Sequence, residues 1–284
     1  MKVGFIGLGH LGKTIAKRLI SQGVDMAVWN RTKEKAADLG VPVAENPAGL
    51  MSQADVVFLN LFDSNAVAAV LEGENGLLRG RCHGKIIVDT TTNHFDSVPY
   101  FYERVSQHGA CYLEAPMLGS VAPASSGTLT VLVGGDRNAY EQIKPLLEKI
   151  GKAIFYLGEP ALATKMKLVN NMVLGTLMAT GAEAVALGEA AGLSREMVVN
   201  ILLSGAGNSV VLNGKKDMLI REDFPTQFSS SLIYKDLHYL QDLANSLKRP
   251  LFTGSATKEL YAMTFSKGIA AEDFAAIYKI FRQY

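Results

Sequence analysis

The sequence predicts an α/β chain in two parts, strands and helices alternating through residue 160 and helices alone from 161 to 284. Three observations carry this. A short apolar strand, Lys2 to Ile6, runs straight into Gly7-Leu8-Gly9-His10-Leu11-Gly12 and then into the helical apolar spacing of Ile15, Leu19 and Ile20. Buried-type strands recur at 25–29, 42–44, 55–59, 85–89, 128–133 and 153–157, with helical stretches between them, the pattern of a largely parallel sheet. After Gly158 no convincing strand follows.

Composition narrows the function. At 284 residues the chain is long enough for two domains, each with a core. Apolar residues at 48% and charged residues at 19% suit a globular enzyme and not a disordered chain. Lys plus Arg number 28 against 27 Asp plus Glu, so no chain-wide field draws the protein to nucleic acid or to an anionic membrane. A single Trp offers no stacking platform for single strands. Cys82 and Cys111 lie far apart, read as free thiols and suggest no metal. The opening MKVGFIGLG breaks into glycines too early for a signal peptide. The most apolar window, Met172 to Ala182, meets Glu183 and Glu189 before reaching a membrane span. The expectation is a cytoplasmic protein with a small-molecule partner and neither nucleic acid nor membrane.

Strand, GxGxxG and helix in succession form the dinucleotide fingerprint of a Rossmann domain. Gly7 allows the tight turn, Gly9 lets the backbone approach a pyrophosphate, and Gly12 permits close helix–strand packing. The second strand ends in Asn30-Arg31-Thr32, where an NAD-preferring site usually carries an acidic residue. A guanidinium and a hydroxyl suit a 2′-phosphate, so NADP is the expected cofactor in preference to NAD; the alternative is that Arg31 faces solvent or stacks on adenine. Helix 33–39 and strand 42–44 continue the alternation, and Asn46-Pro47 opens the next helix. The loop Asn60 to Ser64, with Leu61 and Phe62, follows a strand at the end where ligands sit in open sheets. Thr90-Thr91-Thr92-Asn93 has the same placement; its hydroxyls suit either a ligand or a cap on the following helix. Residues 115–128, rich in Gly, Pro and Ser, read as a long functional loop.

From Ala163 to Gly192 the chain has no proline and many helix formers, which predicts one long helix. Lys167 and Asn171 are four apart and share a face, while Lys165 points roughly the other way. A polar pair in an apolar helix needs partners or a water-filled cleft; by itself it fits a site or a solvent-facing helix end equally. Ser194 caps a helix at 197–203, and further helices are expected at 212–220, 228–247, 259–265 and 271–281. Gly175, Ala179, Gly181, Ala182, Ala184, Ala186 and Gly188 leave room on the long helix for a close neighbour.

Four blocks, spread over essentially the whole chain, resemble the β-hydroxyacid dehydrogenase family, which includes 3-hydroxyisobutyrate dehydrogenase and the glyoxylate/succinic semialdehyde reductases. They are Gly4 to Gly12, Glu114 to Leu129, Lys167 to Asn171, and Phe228 through Lys235-Asp236. The resemblance implies a Rossmann NADP-binding domain over 1–160, an all-helical substrate and oligomerisation domain over 161–284, a cleft between them, and a homo-oligomer, dimer or tetramer. It implies Lys167 as the catalytic residue with Asn171 beside it. It places Thr92 near the nicotinamide and substrate, Leu118, Gly119 and Ser120 in the substrate block, and Lys235 and Asp236 in a segment that reaches the cofactor and the substrate. The alternative for Lys235 and Asp236 is an ordinary helix ion pair. The implied chemistry is hydride transfer to a carbonyl carbon, with the Lys167 ammonium stabilising and protonating the resulting alkoxide.

One position departs from the family pattern. Pro116-Met117-Leu118-Gly119 has Leu118 where the family carries a serine for the substrate carboxylate. That removes a donor and adds apolar bulk, leaving the N–H groups around Gly119 and the Ser120 hydroxyl to hold an anion. The expected activity is reduction of a small aldehyde or semialdehyde acid with NADPH. The alternatives are oxidation of a 3-hydroxy acid by the same machinery, an imine reductase-like enzyme, against which Lys167 counts, and a non-catalytic NADPH-binding relative.

Overall fold

The computed structural model describes residues 1–283. The chain divides into two compact units, Met1–Lys167 and Leu168–Tyr284.

The first unit holds eight strands: β1 (Val3–Ile6), β2 (Met26–Trp29), β3 (Val56–Leu59), β4 (Ile86–Asp89), β5 (Cys111–Glu114), β6 (Met117–Leu118), β7 (Leu129–Gly135) and β8 (Gly151–Gly158). They form one sheet in the order β2-β1-β3-β4-β5-β7-β6, with β8 also paired to β7. Helices α1 (His10–Ser21), α2 (Pro47–Gln53), α3 (Ser64–Glu72), α4 (Ser97–Gln107), α5 (Val121–Ser126) and α6 (Arg137–Leu147) connect the strands. Strands β1 to β5 are parallel to one another. Side chains alternate between faces along each strand. Phe5, Phe58 and Val88 enter one apolar cluster, whereas Ile6, Leu59 and Ile87 enter another. Both faces are covered, which is why these strands read as continuous apolar runs. The order reverses at β1 and β3, so their C-terminal ends, at Gly7 and Asn60, border the crevice where open sheets hold ligands.

Local chemistry explains several departures from the expected elements. The expected helix 33–39 is a short 3₁₀ turn, Lys33–Ala36, and the expected strand 42–44 is a single bridge between Val28 and Val43. The stretch expected as a loop over 115–128 contains β6 and α5. Pro123 is tolerated in the first turn of α5, and Gly127 closes it in the left-handed conformation at φ +73°. Because this link folds back on itself, β7 runs antiparallel to β5 and β6, while β8 runs parallel to β7.

In the second unit α7 (Leu162–Ala190), which begins in the first unit, is followed by α8 (Arg195–Ser204), α9 (Val210–Arg221), α10 (Ser230–Ser246), α11 (Phe252–Ser266) and α12 (Tyr278–Phe281). Ser194, Ser209 and Ser229 cap α8, α9 and α10 by accepting from the backbone N–H of Met197, Leu212 and Leu232. The expected helix 259–265 begins earlier, at Phe252, and the expected helix 271–281 is a 3₁₀ turn followed by α12. That turn starts at Asp273, whose buried carboxylate accepts from the Ala275 N–H and pairs with Lys215 at 2.9 Å. Small residues on α7 admit its neighbours: a Cβ on Gly188 would lie 2.5 Å from a methyl of Val198 in α8.

Candidate active site

The glycine motif builds an anion cradle by subtraction of side chains. Gly7 leaves β1 with φ +98°, and a Cβ there would lie 2.1 Å from the Asn60 carbonyl oxygen. A Cβ on Gly12 would lie 2.0 Å from the Gly7 carbonyl oxygen, so α1 packs against the turn only with glycine. Gly9 has no atom within 4 Å of its Cβ position: the turn is open on that side. No side chain caps α1, which leaves its N-terminal N–H groups facing that opening. His10 is exposed, and its carbonyl accepts from the Thr14 hydroxyl at 2.8 Å. Leu11 packs against the apolar core.

The end of β2 supplies the wall next to this turn. Asn30 works on the chain itself: its Oδ1 accepts from the Leu8 N–H at 2.8 Å and its Nδ2 donates to the Thr32 carbonyl at 2.8 Å. It therefore fixes the glycine turn and the following residues together. Arg31 and Thr32 are exposed and, with Gly7, Leu61 and Phe62, line a cavity of about 710 Å³. Lys35, which the sequence reading passed over, lines it as well. Its signal was a second basic residue four positions after Arg31. A dinucleotide fits these residues: an open glycine turn at an uncapped helix suits the pyrophosphate, and two cations stand beside the Asn30 turn.

Asp89, at the end of β4, organises the threonine block. It is fully buried and accepts from the Thr91 N–H, the Asn93 amide and the Tyr112 hydroxyl, the last at 2.6 Å. Burial pushes its carboxyl up, against the opposing pull of these bonds. Thr90 donates to the Leu59 carbonyl and accepts from the Asn60 amide, and Thr91 accepts from the Leu61 N–H. Thr90 and Thr91 thus tie β4 to the exit of β3 and do not cap α4, whose cap position is Asp96. Thr92 is half-buried between them and Asn93.

The segment 114–120 brings the substrate block to α7. Leu118 is half-buried and pairs with Thr130 across β6 and β7. Gly119 turns the chain at φ +122°, and the Ser120 hydroxyl oxygen is buried with no hydrogen-bond partner in the chain. A buried polar atom without a partner is uncommon. Lys167 is 8% exposed and its Nζ donates to the Met117 carbonyl oxygen at 2.7 Å. Lys165, two positions earlier, lies 6.0 Å from the Phe95 ring. Glu114, absent from the expected site residues, is buried and accepts from the first turn of α7.

In the second unit Asn171 is fully buried and its Nδ2 donates to Asp236 Oδ2 at 2.6 Å. Asp236 Oδ1 has no directed hydrogen bond but lies 3.0 Å from Lys235 Nζ, so that contact is an ion pair without hydrogen-bond geometry. Lys235 also lies 5.0 Å from the Tyr239 ring. The burial of Lys167 and Asn171 removes the solvent-facing reading of this polar pair. Among the described residues no group of His, Cys, Asp and Glu is placed to hold a metal ion, and no helix is long and apolar enough to cross a membrane.

Residues 2–158 match the family described as the NAD binding domain of 6-phosphogluconate dehydrogenase. Residues 162–281 match the family described as NAD-binding of NADP-dependent 3-hydroxyisobutyrate dehydrogenase. The chain is similar to glyoxylate/succinic semialdehyde reductase 2, chloroplastic, of Arabidopsis thaliana, at 35% identity over 98% of this chain and 78% of that one. It is 34% identical to cytokine-like nuclear factor N-PAC of Gallus gallus over 99% of this chain, which spans only 51% of that relative. Its fold matches the crystal structure of 3-hydroxyisobutyrate dehydrogenase from Salmonella typhimurium with a TM-score of 0.92 at 22% identity, covering 99% of each chain.

Proposed function

The chain belongs to the β-hydroxyacid dehydrogenase family, and on that premise we propose that it reduces a small aldehyde or semialdehyde acid with NADPH, Lys167 giving the proton. Membership makes it an NAD(P)-dependent oxidoreductase acting on CH–OH groups. The observation that carries the finer reading is the buried Lys167 amine, aimed at the Met117 carbonyl beside the Gly119 turn. Two sets of family blocks, far apart in sequence, meet at that contact.

Bound NADPH supplies the hydride. Gly7, Gly9, His10, Leu11 and Gly12 hold the pyrophosphate through backbone N–H groups and the N-terminus of α1. Arg31, Thr32 and Lys35 take the 2′-phosphate, which a carboxylate in that position would repel. Leu61, Phe62 and Thr92 line the cofactor from the ends of β3 and β4, and Lys235 completes its binding. An ammonium has three donors, one of which Met117 takes; from that place Lys167 protonates the alkoxide as it forms. Ser120 and the N–H groups around Gly119 receive the substrate carboxylate, with Leu118 packing on its chain. Asn171, held by Asp236, orients the substrate. Residues 1–160 form the NADP-binding domain and 161–284 the substrate and oligomerisation domain; the gap between the two matched segments, 158 to 162, supports that boundary.

The test is NADPH oxidation with glyoxylate, succinic semialdehyde, tartronate and methylmalonate semialdehydes and uncharged analogues, beside Lys167→Ala. Turnover on a carboxylated aldehyde that the variant loses supports the reading. Activity on uncharged carbonyls alone overturns the substrate class. Turnover indifferent to Lys167, or none on any carbonyl, overturns the mechanism. The description of the C-terminal family favours one second reading, oxidation of a 3-hydroxy acid, and the corresponding hydroxy acids with NADP⁺ or NAD⁺ test it.

A further inference from the structure

Glu114 has no part in the chemistry above, yet it is 1% exposed and ionisable. It ends β5, and its carboxylate accepts from the N–H of Ala163 at 3.3 Å, the N–H of Thr164 at 3.0 Å, and the Thr164 hydroxyl. All three donors belong to the first turn of α7, whose leading N–H groups have no partner within the helix. A negative charge is favoured there by the helix dipole. Three residues after Glu114, the Met117 carbonyl takes the amine of Lys167, one turn beyond Thr164. One short segment, 114–117, therefore grips α7 twice, at its first turn and at its amine.

The surroundings are shaped for this carboxylate. Glu114 pairs across the sheet with Gly134, and a Cβ on Gly134 would lie 2.4 Å from Glu114 Oε1 and 3.0 Å from Cδ. Only a residue without a side chain leaves the carboxylate its place. The Tyr102 hydroxyl accepts from the Glu114 N–H at 3.3 Å and donates to the Gly134 carbonyl at 2.7 Å, tying the pair together from outside the ladder.

We propose that Glu114 is a positioning residue: by anchoring the first turn of α7 it sets where the Lys167 amine lies against Met117. The inference rests on the reading of Lys167 as proton donor. Its physical basis is that a displacement of about 1 Å at a reacting group can cost about 10²-fold in rate.

Two variants of the full chain test it. Glu114→Gln keeps the volume and one acceptor oxygen but sets amide N–H groups against the N–H of Ala163 and Thr164. Gly134→Ala leaves Glu114 intact and displaces only the end of its side chain, at a backbone conformation that alanine adopts. The readouts are kcat and KM for the aldehyde, NADPH affinity, the melting curve, and the acylation rate of Lys167 measured by peptide mass spectrometry. The expected result for both variants is a fall in kcat of about 10²-fold, unchanged NADPH affinity, and faster acylation of Lys167 relative to the exposed lysines. Earlier melting with wild-type kcat and acylation would mean that Glu114 only stabilises the helix, and the proposal falls. Should Lys167→Ala keep wild-type turnover, the reading of Lys167 falls. Acylation then judges Glu114 alone: an unchanged rate overturns its placing of the amine, and a faster one upholds it.

Discussion

The Nζ of Lys167 lies 2.7 Å from the backbone carbonyl oxygen of Met117, fifty residues away in the chain, and the side chain is buried. Burying an ammonium is costly, and the bond to Met117 offsets part of that cost. A residue kept in such a place for chemistry contributes little to stability. Lys167→Met, which preserves the apolar stem, is expected to lower kcat by about 10²–10⁴-fold. Its unfolding free energy is expected to fall by no more than about 3 kcal/mol, the upper worth of a hydrogen bond from a charged donor. Initial rates and urea melts on the same preparation check both.

Arg31 and Lys35 put two cations on the wall of the cofactor cavity, beside the turn that Asn30 braces. A charge-assisted hydrogen bond is worth about 1.5–3 kcal/mol. Arg31→Ala is therefore expected to weaken NADPH binding by about 10–100-fold and to leave NADH binding nearly unchanged. Titration of both cofactors by fluorescence measures the ratio; equal losses for the two would remove the argument for a 2′-phosphate site.

The Lys215–Asp273 pair is a structural feature of the second unit. Its charged atoms are 2.9 Å apart, and Asp273 also accepts from the N–H groups of Gln227, Phe228 and Ala275. Removing one partner of a buried pair leaves the other charged and unpaired, at a cost of about 3–5 kcal/mol. Asp273→Ala is expected to lose that much in urea unfolding. Lys215→Met with Asp273→Leu together is expected to lose less than Asp273→Ala alone, because no charge is left stranded.

Asp89 gives a pH signature. Burial raises its carboxyl above the ordinary value of about 3.9, so between the two values the folded chain binds more protons than the unfolded one. The contribution of this group to stability is complete below about pH 3.9 and is lost as pH rises through the raised value. Asp89→Asn has no such proton. The stability of the natural chain minus that of Asp89→Asn is therefore expected to be largest near pH 4 and to shrink toward pH 8. Thermal melts across that range measure it, and a difference that grows with pH would show that the bonds from Thr91, Asn93 and Tyr112 outweigh burial.

What the sequence by itself determined is what local sterics and periodicity control. The Gly7-Gly9-Gly12 turn, the Asn46 and Ser194 caps, the buried parallel strands and the long helix bearing Lys167 and Asn171 all follow from residues within a few positions of one another. The tertiary structure alone decided which distant segments meet. Residues 115–128 carry a strand and a helix, and β7 reverses direction, because a link read as loop folds back on its own strand. Glu114 grips the first turn of α7 from 49 and 50 residues away, and Asp273 meets Lys215 across 58. No periodicity marks these contacts. An isolated Glu, Asp or Lys in a sequence looks like surface, and only burial, which demands a partner for every charge and every unpaired N–H, turns it into part of the core.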